Sequence, residues 1–166
     1  MPAEFDMENI SIKVLNDIDT EITLELKKLE ISNLGRSASI NEWVIPVLIK
    51  YGKVITAVKN SESDLKEKEK IIGVNELLRK WDDPATVFIH SFYVEKSFRK
   101  KGIGSFLLEE SIKILKGEKI RKIELTVDSR NLQAVKLYEK FNFKKTDHFK
   151  DLYGLGVHRD LMICRI

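Results

Sequence analysis

The 166-residue chain holds one cysteine, three prolines and little excess charge. It also lacks any apolar run near the ~20 residues that a membrane-spanning helix needs. Each scarcity excludes something. Cys164 alone cannot close an intrachain disulfide or build a cysteine metal cluster. It lies in an apolar terminal stretch and reads as a small core residue. The start, MPAEFDMENI, is acidic and has no hydrophobic signal segment, so a cytoplasmic protein with no membrane partner is expected. Lys and Arg number 29 against 26 Asp and Glu, leaving a net charge of +3. That is too mild, and too evenly spread, to argue for a nucleic-acid partner. No His/Asp/Glu spacing suggests a metal.

What remains is 43% hydrophobic and 33% charged, the balance of a globular domain. Residues 1–8 read as a flexible tail and residues 9–166 as a single domain. Ile10–Leu15 reads as a strand, and Asp19 or Thr20 caps a helix through about Ile31. Ser32–Ser39 has loop composition. A second helix spans Asn41 to about Tyr51, with Pro46 calling for a kink or a late start. Val54–Val58 and Ile71–Leu78 are strands around a charged connection, Asn60–Lys70, and residues 81–84 (WDDP) are a turn. Thr86–Val94 is a strand whose apolar residues do not alternate cleanly, so it reads as buried on both faces. After Gly104, apolar residues recur at helical spacing to an end at Gly117. Ile120–Val127 is a strand and Leu132–Phe141 a helix, with Asn142 expected in the left-handed C′ position. Strands from Phe143 and over Asp160–Ile166 flank a loop, Asp151–Val157. The order β-α-α-β-β-β-α-β-α-β-β predicts an α/β (α+β) domain with a central mixed sheet and helices on both faces.

Two stretches carry chemistry. In the first, VEKSFRKKGIGSFLL (Val94–Leu108), a strand runs into basic residues, two glycines and a helix start. A helix N-terminus presents unpaired N–H groups and partial positive charge, and glycine lets a phosphate approach the backbone. Arg99, Lys100 and Lys101 add full charges. The P-loop pattern is absent, and Leu107 stands where a Rossmann fingerprint needs a third glycine. The second stretch is Leu125–Phe143, with Asn131, Ala134, then Leu137-Tyr138-Glu139-Lys140 and Phe143.

Together these stretches resemble the GNAT (Gcn5-related N-acetyltransferase) superfamily. The first matches its R-x-x-G-x-G pyrophosphate loop. The second matches a strand followed by Asn, Ala and LYEK-x-GF. Asn142 replaces the usual Gly, a small departure because both allow positive φ. The resemblance covers roughly residues 9–166 and is most specific between Val87 and Phe143. It implies a mostly antiparallel GNAT sheet, acetyl-coenzyme A as co-substrate, and direct acetyl transfer to a primary amine. It implies cofactor contacts from Phe92, Tyr93 and Val94, from Arg99 through Lys100, Lys101, Gly102, Ile103 and Gly104 to Ser105, and from Asn131 and Tyr138. A monomer or homodimer is expected. The alternative is a non-catalytic acyl-CoA-binding or regulatory module of the same family.

The chemistry makes three demands. The amine must lose a proton, the thioester oxygen needs a donor, and the leaving thiolate needs a proton. The resemblance gives the last role to Tyr138; spacing alone makes it an amphipathic core residue. Asn131 matches the family's cofactor-binding asparagine and is equally a plain N-cap. His90 matches the histidine proposed as base in serotonin N-acetyltransferases; otherwise it is a histidine at the core edge. Other family members use a glutamate where Phe88 and Thr126 stand here. Glu124, Glu76 or a water chain are reserves for the base, though Glu76 reads first as solvated or salt-bridged. His148 and His158 have no comparable support. The end of the chain, FKDLYGLGVHRDLMICRI, resembles ribosomal-protein N-terminal acetyltransferase-like members. That likeness puts Tyr153, Gly154 and Gly156 in an acceptor loop; otherwise they form a hairpin turn. The acceptor is a peptide N-terminus or a small amine. The region Leu24–Trp43 matches nothing.

Overall fold

The computed structural model describes residue 7 and residues 9–35, 43–60 and 69–166. Apart from Met7, the expected tail lies outside the described residues, as does most of the charged connection before Lys70. The elements run β1 (Ile10–Leu15), α1 (Thr20–Leu34), α2 (Val44–Tyr51), β2 (Lys53–Lys59), β3 (Lys70–Arg79) and β4 (Thr86–Val94). A 3₁₀ turn (Lys96–Phe98) follows, then α3 (Ile103–Gly117), β5 (Lys122–Val127), α4 (Leu132–Lys140), β6 (Lys144–Phe149) and β7 (Arg159–Arg165). The seven strands are bonded in the order β1-β2-β3-β4-β5-β7-β6. The β4–β5 pair is parallel, whereas β1–β2, β5–β7 and β6–β7 are antiparallel. A parallel pair needs a crossover, and α3 supplies it. This is the expected mixed α/β sheet.

Two compact units share the chain. The first draws on residues up to Glu76 and on Ser91–Glu110, the second on Leu77–His90 and Ser111–Ile166. In the first, Leu26, Ile45, Leu48, Val54, Val74 and Tyr93 form one apolar cluster. Asp19 caps α1 as expected, its Oδ1 accepting from Glu21 N–H at 2.6 Å. The helix outruns its expected end by three residues. Ser32 Oγ and Asn33 Nδ2 donate back to Leu29 O at 2.9 and 2.8 Å, so these loop-forming side chains are absorbed by the helix. Gly35, at φ 85°, stops it. α2 starts late, at Val44, and places Pro46 in its first turn, where a missing N–H costs nothing. Gly73 marks a close approach of β3 to α3: a Cβ there would sit 3.2 Å from Leu107.

The second unit shows clean alternation. Ile123, Leu125 and Val127 of β5 are buried, while Lys122, Glu124 and Thr126 are half-buried. β4 alternates too, which corrects its reading as a strand buried on both faces. Val87, Ile89, Ser91 and Tyr93 are buried, whereas Phe88, Phe92 and Val94 are half-buried and His90 is exposed. Aromatic residues on the more open face mimic a continuous apolar run. β6 begins one residue later than expected, at Lys144, and breaks register between Lys145 and Asp147.

Candidate active site

In the first unit, β4 delivers the chain through the 3₁₀ turn into α3. Lys100 (φ 61°) and Gly102 (φ 85°) both take left-handed conformations. For Lys100 that conformation is strained; for Gly102 it is free. A Cβ on Gly102 would meet nothing within 4 Å, so the backbone there faces open space. Gly104 is not a loop residue but the second residue of α3. Phe106 N–H makes the first helical bond, to Gly102 O at 3.0 Å. The N–H groups of Ile103, Gly104 and Ser105 therefore have no acceptor within the helix. With Lys100 and Lys101 exposed beside them, they can hold an anionic diphosphate. Lys101 Nζ also lies 5.3 Å from the Phe98 ring centre. Arg99 is bonded within this unit: its Nε donates to Val94 O at 2.9 Å and its Nη2 to Asn33 Oδ1 at 3.0 Å.

The same unit also buries polar side chains from α1, β3 and β4. Glu30 and Glu76 are both 0% exposed, and Ser91 and Tyr93 are buried with them. Ser91 Oγ donates to Glu30 Oε1 at 3.2 Å. Neither Glu76 oxygen has a hydrogen-bond partner, nor does the Tyr93 hydroxyl. Burial, and then the Glu30 charge, push the Glu76 carboxyl up to about 8. Burial and the same two carboxyls push the Tyr93 phenol above its ordinary range. The expectation that Glu76 is solvated or salt-bridged is thus overturned. Its place between Asn75 and Leu77 carries no sign of what covers the strand.

The second unit holds the remaining candidates. Asn131 is the N-cap of α4, its Oδ1 accepting from Ala134 N–H at 3.2 Å. Asp128 sets up that cap, accepting from Arg130 N–H at 2.9 Å while its backbone O accepts from Asn131 N–H at 2.9 Å. The Arg130 guanidinium holds Asp128 well below the usual carboxylate range. The sequence reading missed this turn, although Asp two residues before Arg130 is its signature. Tyr138 is 7% exposed, and burial pushes its phenol well above the ordinary value. Its ring packs against Phe143, centroids 5.5 Å apart. His90 is exposed, yet partial desolvation still draws its imidazole below the usual value. Glu124 is paired with Lys122 at 3.2 Å.

Gly154 (φ 120°) and Gly156 (φ 81°) give the β6–β7 loop its turns, with Asp151 Oδ1 accepting from Gly156 N–H at 2.6 Å. The Tyr153 hydroxyl and Thr126 Oγ1 share a hydrogen bond of 3.1 Å. His148 contacts Asp160 at 2.6 Å, with Lys145 on the same carboxylate at 2.8 Å. Cys164 is buried, as expected of a core residue. Among the described residues no group of three or more metal-ligating side chains is gathered.

The chain is similar to several known proteins. Residues 73 in number align at 41% identity with an N-alpha-acetyltransferase of Saccharolobus solfataricus, covering 43% of this chain and 44% of that protein. The chain thus matches less than half the length of this curated relative. The fold is shared with the ribosomal-protein-S18-alanine N-acetyltransferase of Escherichia coli, at TM-score 0.76 and 16% identity over 95% of this chain and 94% of that one. It is shared also with Arabidopsis thaliana NAA60 solved with acetyl-CoA, at TM-score 0.76 and 19% identity over 95% and 99%. The model of the acetyltransferase (GNAT) family matches residues 51–143, more than half the chain, and takes in β4, the glycine turn, Asn131 and Tyr138. With that match, the chain belongs to the acetyltransferase (GNAT) family.

Proposed function

We propose that this protein is an acetyl-CoA-dependent N-acetyltransferase acting on a primary amine. The observation that carries this reading is the β4–α3 connection. Its left-handed Gly102 turn ends on three N–H groups without helical acceptors, beside two exposed lysines. That cradle fits a diphosphate, which is the anionic part of coenzyme A. Acetyl-CoA, when bound, supplies the activated acetyl group as a thioester; the chain supplies the rest. N–H groups from Lys100 to Ser105 hold the diphosphate. The end of β4, Phe92 to Val94, offers backbone donors to the thioester carbonyl. Asn131 spends its Oδ1 on the cap, so its amide NH₂ is what it offers the pantetheine arm. The buried Tyr138 phenol keeps its proton throughout the physiological range, the state required of a donor to a departing thiolate. His90 accepts the amine's proton.

The acceptor class we favour is a peptide N-terminus, supported by the aligned N-alpha-acetyltransferase. Residues 9–166 act as one catalytic domain in this reading. The test is thiol release from acetyl-CoA with an array of peptides of different N-terminal residues, set beside polyamines and aminoglycosides. Acetylation of at least one peptide α-amine is expected. Release with small amines alone would overturn the acceptor class. Tight CoA binding with no turnover on any amine would overturn the enzyme. Gly104→Val, which sets a branched side chain against the diphosphate, should abolish CoA binding in a folded protein by calorimetry.

A further inference from the structure

Helix α1 ends without a basic residue in its last turn. Its terminal carbonyls carry partial negative charge that nothing in the helix's own last turn offsets. The missing cation comes from the glycine turn. Arg99 Nη2 donates to Asn33 Oδ1 at 3.0 Å and lies 3.5 Å from Asn33 O, while its Nε donates to Val94 O at 2.9 Å. One planar group thereby spans the last turn of α1 and the last residue of β4. Asn33 is itself oriented for this. Its Nδ2 donates to Leu29 O at 2.8 Å and to Ser32 Oγ at 3.1 Å, which leaves Oδ1 facing the guanidinium. The fork of Arg suits two separate acceptors in a way that a lysine ammonium does not. The strained Lys100 follows at once, so the position of Arg99 fixes where the turn begins.

We propose that Arg99 is a positioning residue: through Asn33 it moors the glycine turn to the end of α1, and so sets how the N–H groups of residues 100–105 meet an anionic diphosphate. This rests on the acetyl-CoA reading above. It differs from a role as plain countercharge, which needs only a positive charge near the phosphates.

Calorimetric CoA titration of the full chain separates the two roles, using Arg99→Lys, Asn33→Leu, the double variant and Asn33→Asp, each with its unfolding midpoint. Mooring predicts that Arg99→Lys and Asn33→Leu each weaken CoA binding about fivefold to tenfold, as expected for a lost charge-assisted hydrogen bond. The double variant should be no weaker than Arg99→Lys alone, because both changes break one link. Asn33→Asp keeps an acceptor for the guanidinium but gives up the donor to Leu29 O, so it should bind CoA more tightly than Asn33→Leu; equal losses in the two would overturn the mooring. In turnover, Asn33→Leu should raise KM for acetyl-CoA and leave kcat unchanged. Wild-type binding by folded Asn33→Leu, or losses that multiply in the double variant, would overturn the mooring. If Asn33→Leu fails to fold, Arg99→Lys decides: unimpaired binding overturns the proposal. Unchanged CoA binding by folded Gly104→Val would show that this turn does not hold the diphosphate and would overturn the mooring, whereas no CoA binding by the wild-type chain would instead sink the acetyl-CoA reading itself.

Discussion

Tyr138 carries two loads at once, packing against Phe143 and offering a buried hydroxyl. Tyr138→Phe separates them, since the ring stays and the proton donor goes. It should lower kcat by about 10²-fold with CoA affinity nearly unchanged, and a kcat within about twofold of wild type would end the donor role. His90 makes a different prediction. Desolvation disfavours the imidazolium, so the neutral base persists to lower pH than in a free histidine. The ascending limb of kcat/KM against pH should therefore lie below ~6.5, the unperturbed value. His90→Gln should abolish that limb and recover rate at high pH, where more amine is free. A limb that survives the substitution moves the base to a water chain, to Glu124 or to Glu76. The packing of Tyr138 was legible, because helical spacing alone puts its ring in the core. Glu76 was not, since no residue type announces that a carboxyl will be enclosed without a partner.

Helix α4 shows how far local chemistry can be read. Asn142 stands at φ 64°, its N–H donating to Glu139 O at 3.0 Å, while Phe143 N–H donates to Tyr138 O at 3.1 Å. These two bonds are a Schellman ending, and the Tyr138–Phe143 ring contact is its hydrophobic clasp. The ending thus orients the same tyrosine assigned the proton. Asn142→Ala puts a less tolerant side chain at positive φ and should cost about 1 kcal/mol. Asn142→Gly should be neutral or stabilising by a few tenths. Urea midpoints of the two variants check both signs. Elements whose ends rest on such local bonds were foreseen closely. The end of α1 was not, because Ser32 and Asn33 suit a loop and a helix end alike. The openness of β4 was not either, because it depends on what the rest of the chain leaves uncovered.

At the scale of the molecule, the enclosed Glu76 makes stability depend on pH. Its folded value, about 8, lies above the unfolded value near 4.5. Between those limits the folded state holds a proton that the unfolded state has lost. Stability is thus greatest below the lower limit and falls as pH rises towards the upper one, with a slope approaching ~1.4 kcal/mol per pH unit. Unfolding free energies from pH 5 to 9 should show this decline, and Glu76→Gln should flatten it; an unaltered slope would place the titrating group elsewhere. The interleaving of the two units has another consequence, for synthesis on the ribosome. Every residue of the first unit has been made once Glu110 is joined, at which point Ser111–Ile166 does not yet exist. The Thr86–Ile89 stretch of β4 must then wait for its parallel partner, Lys122–Leu125. At roughly 5–20 residues per second, that edge stays open for seconds while the first unit can already collapse. The nascent chain thus has a defined interval in which a chaperone would have a strand to hold.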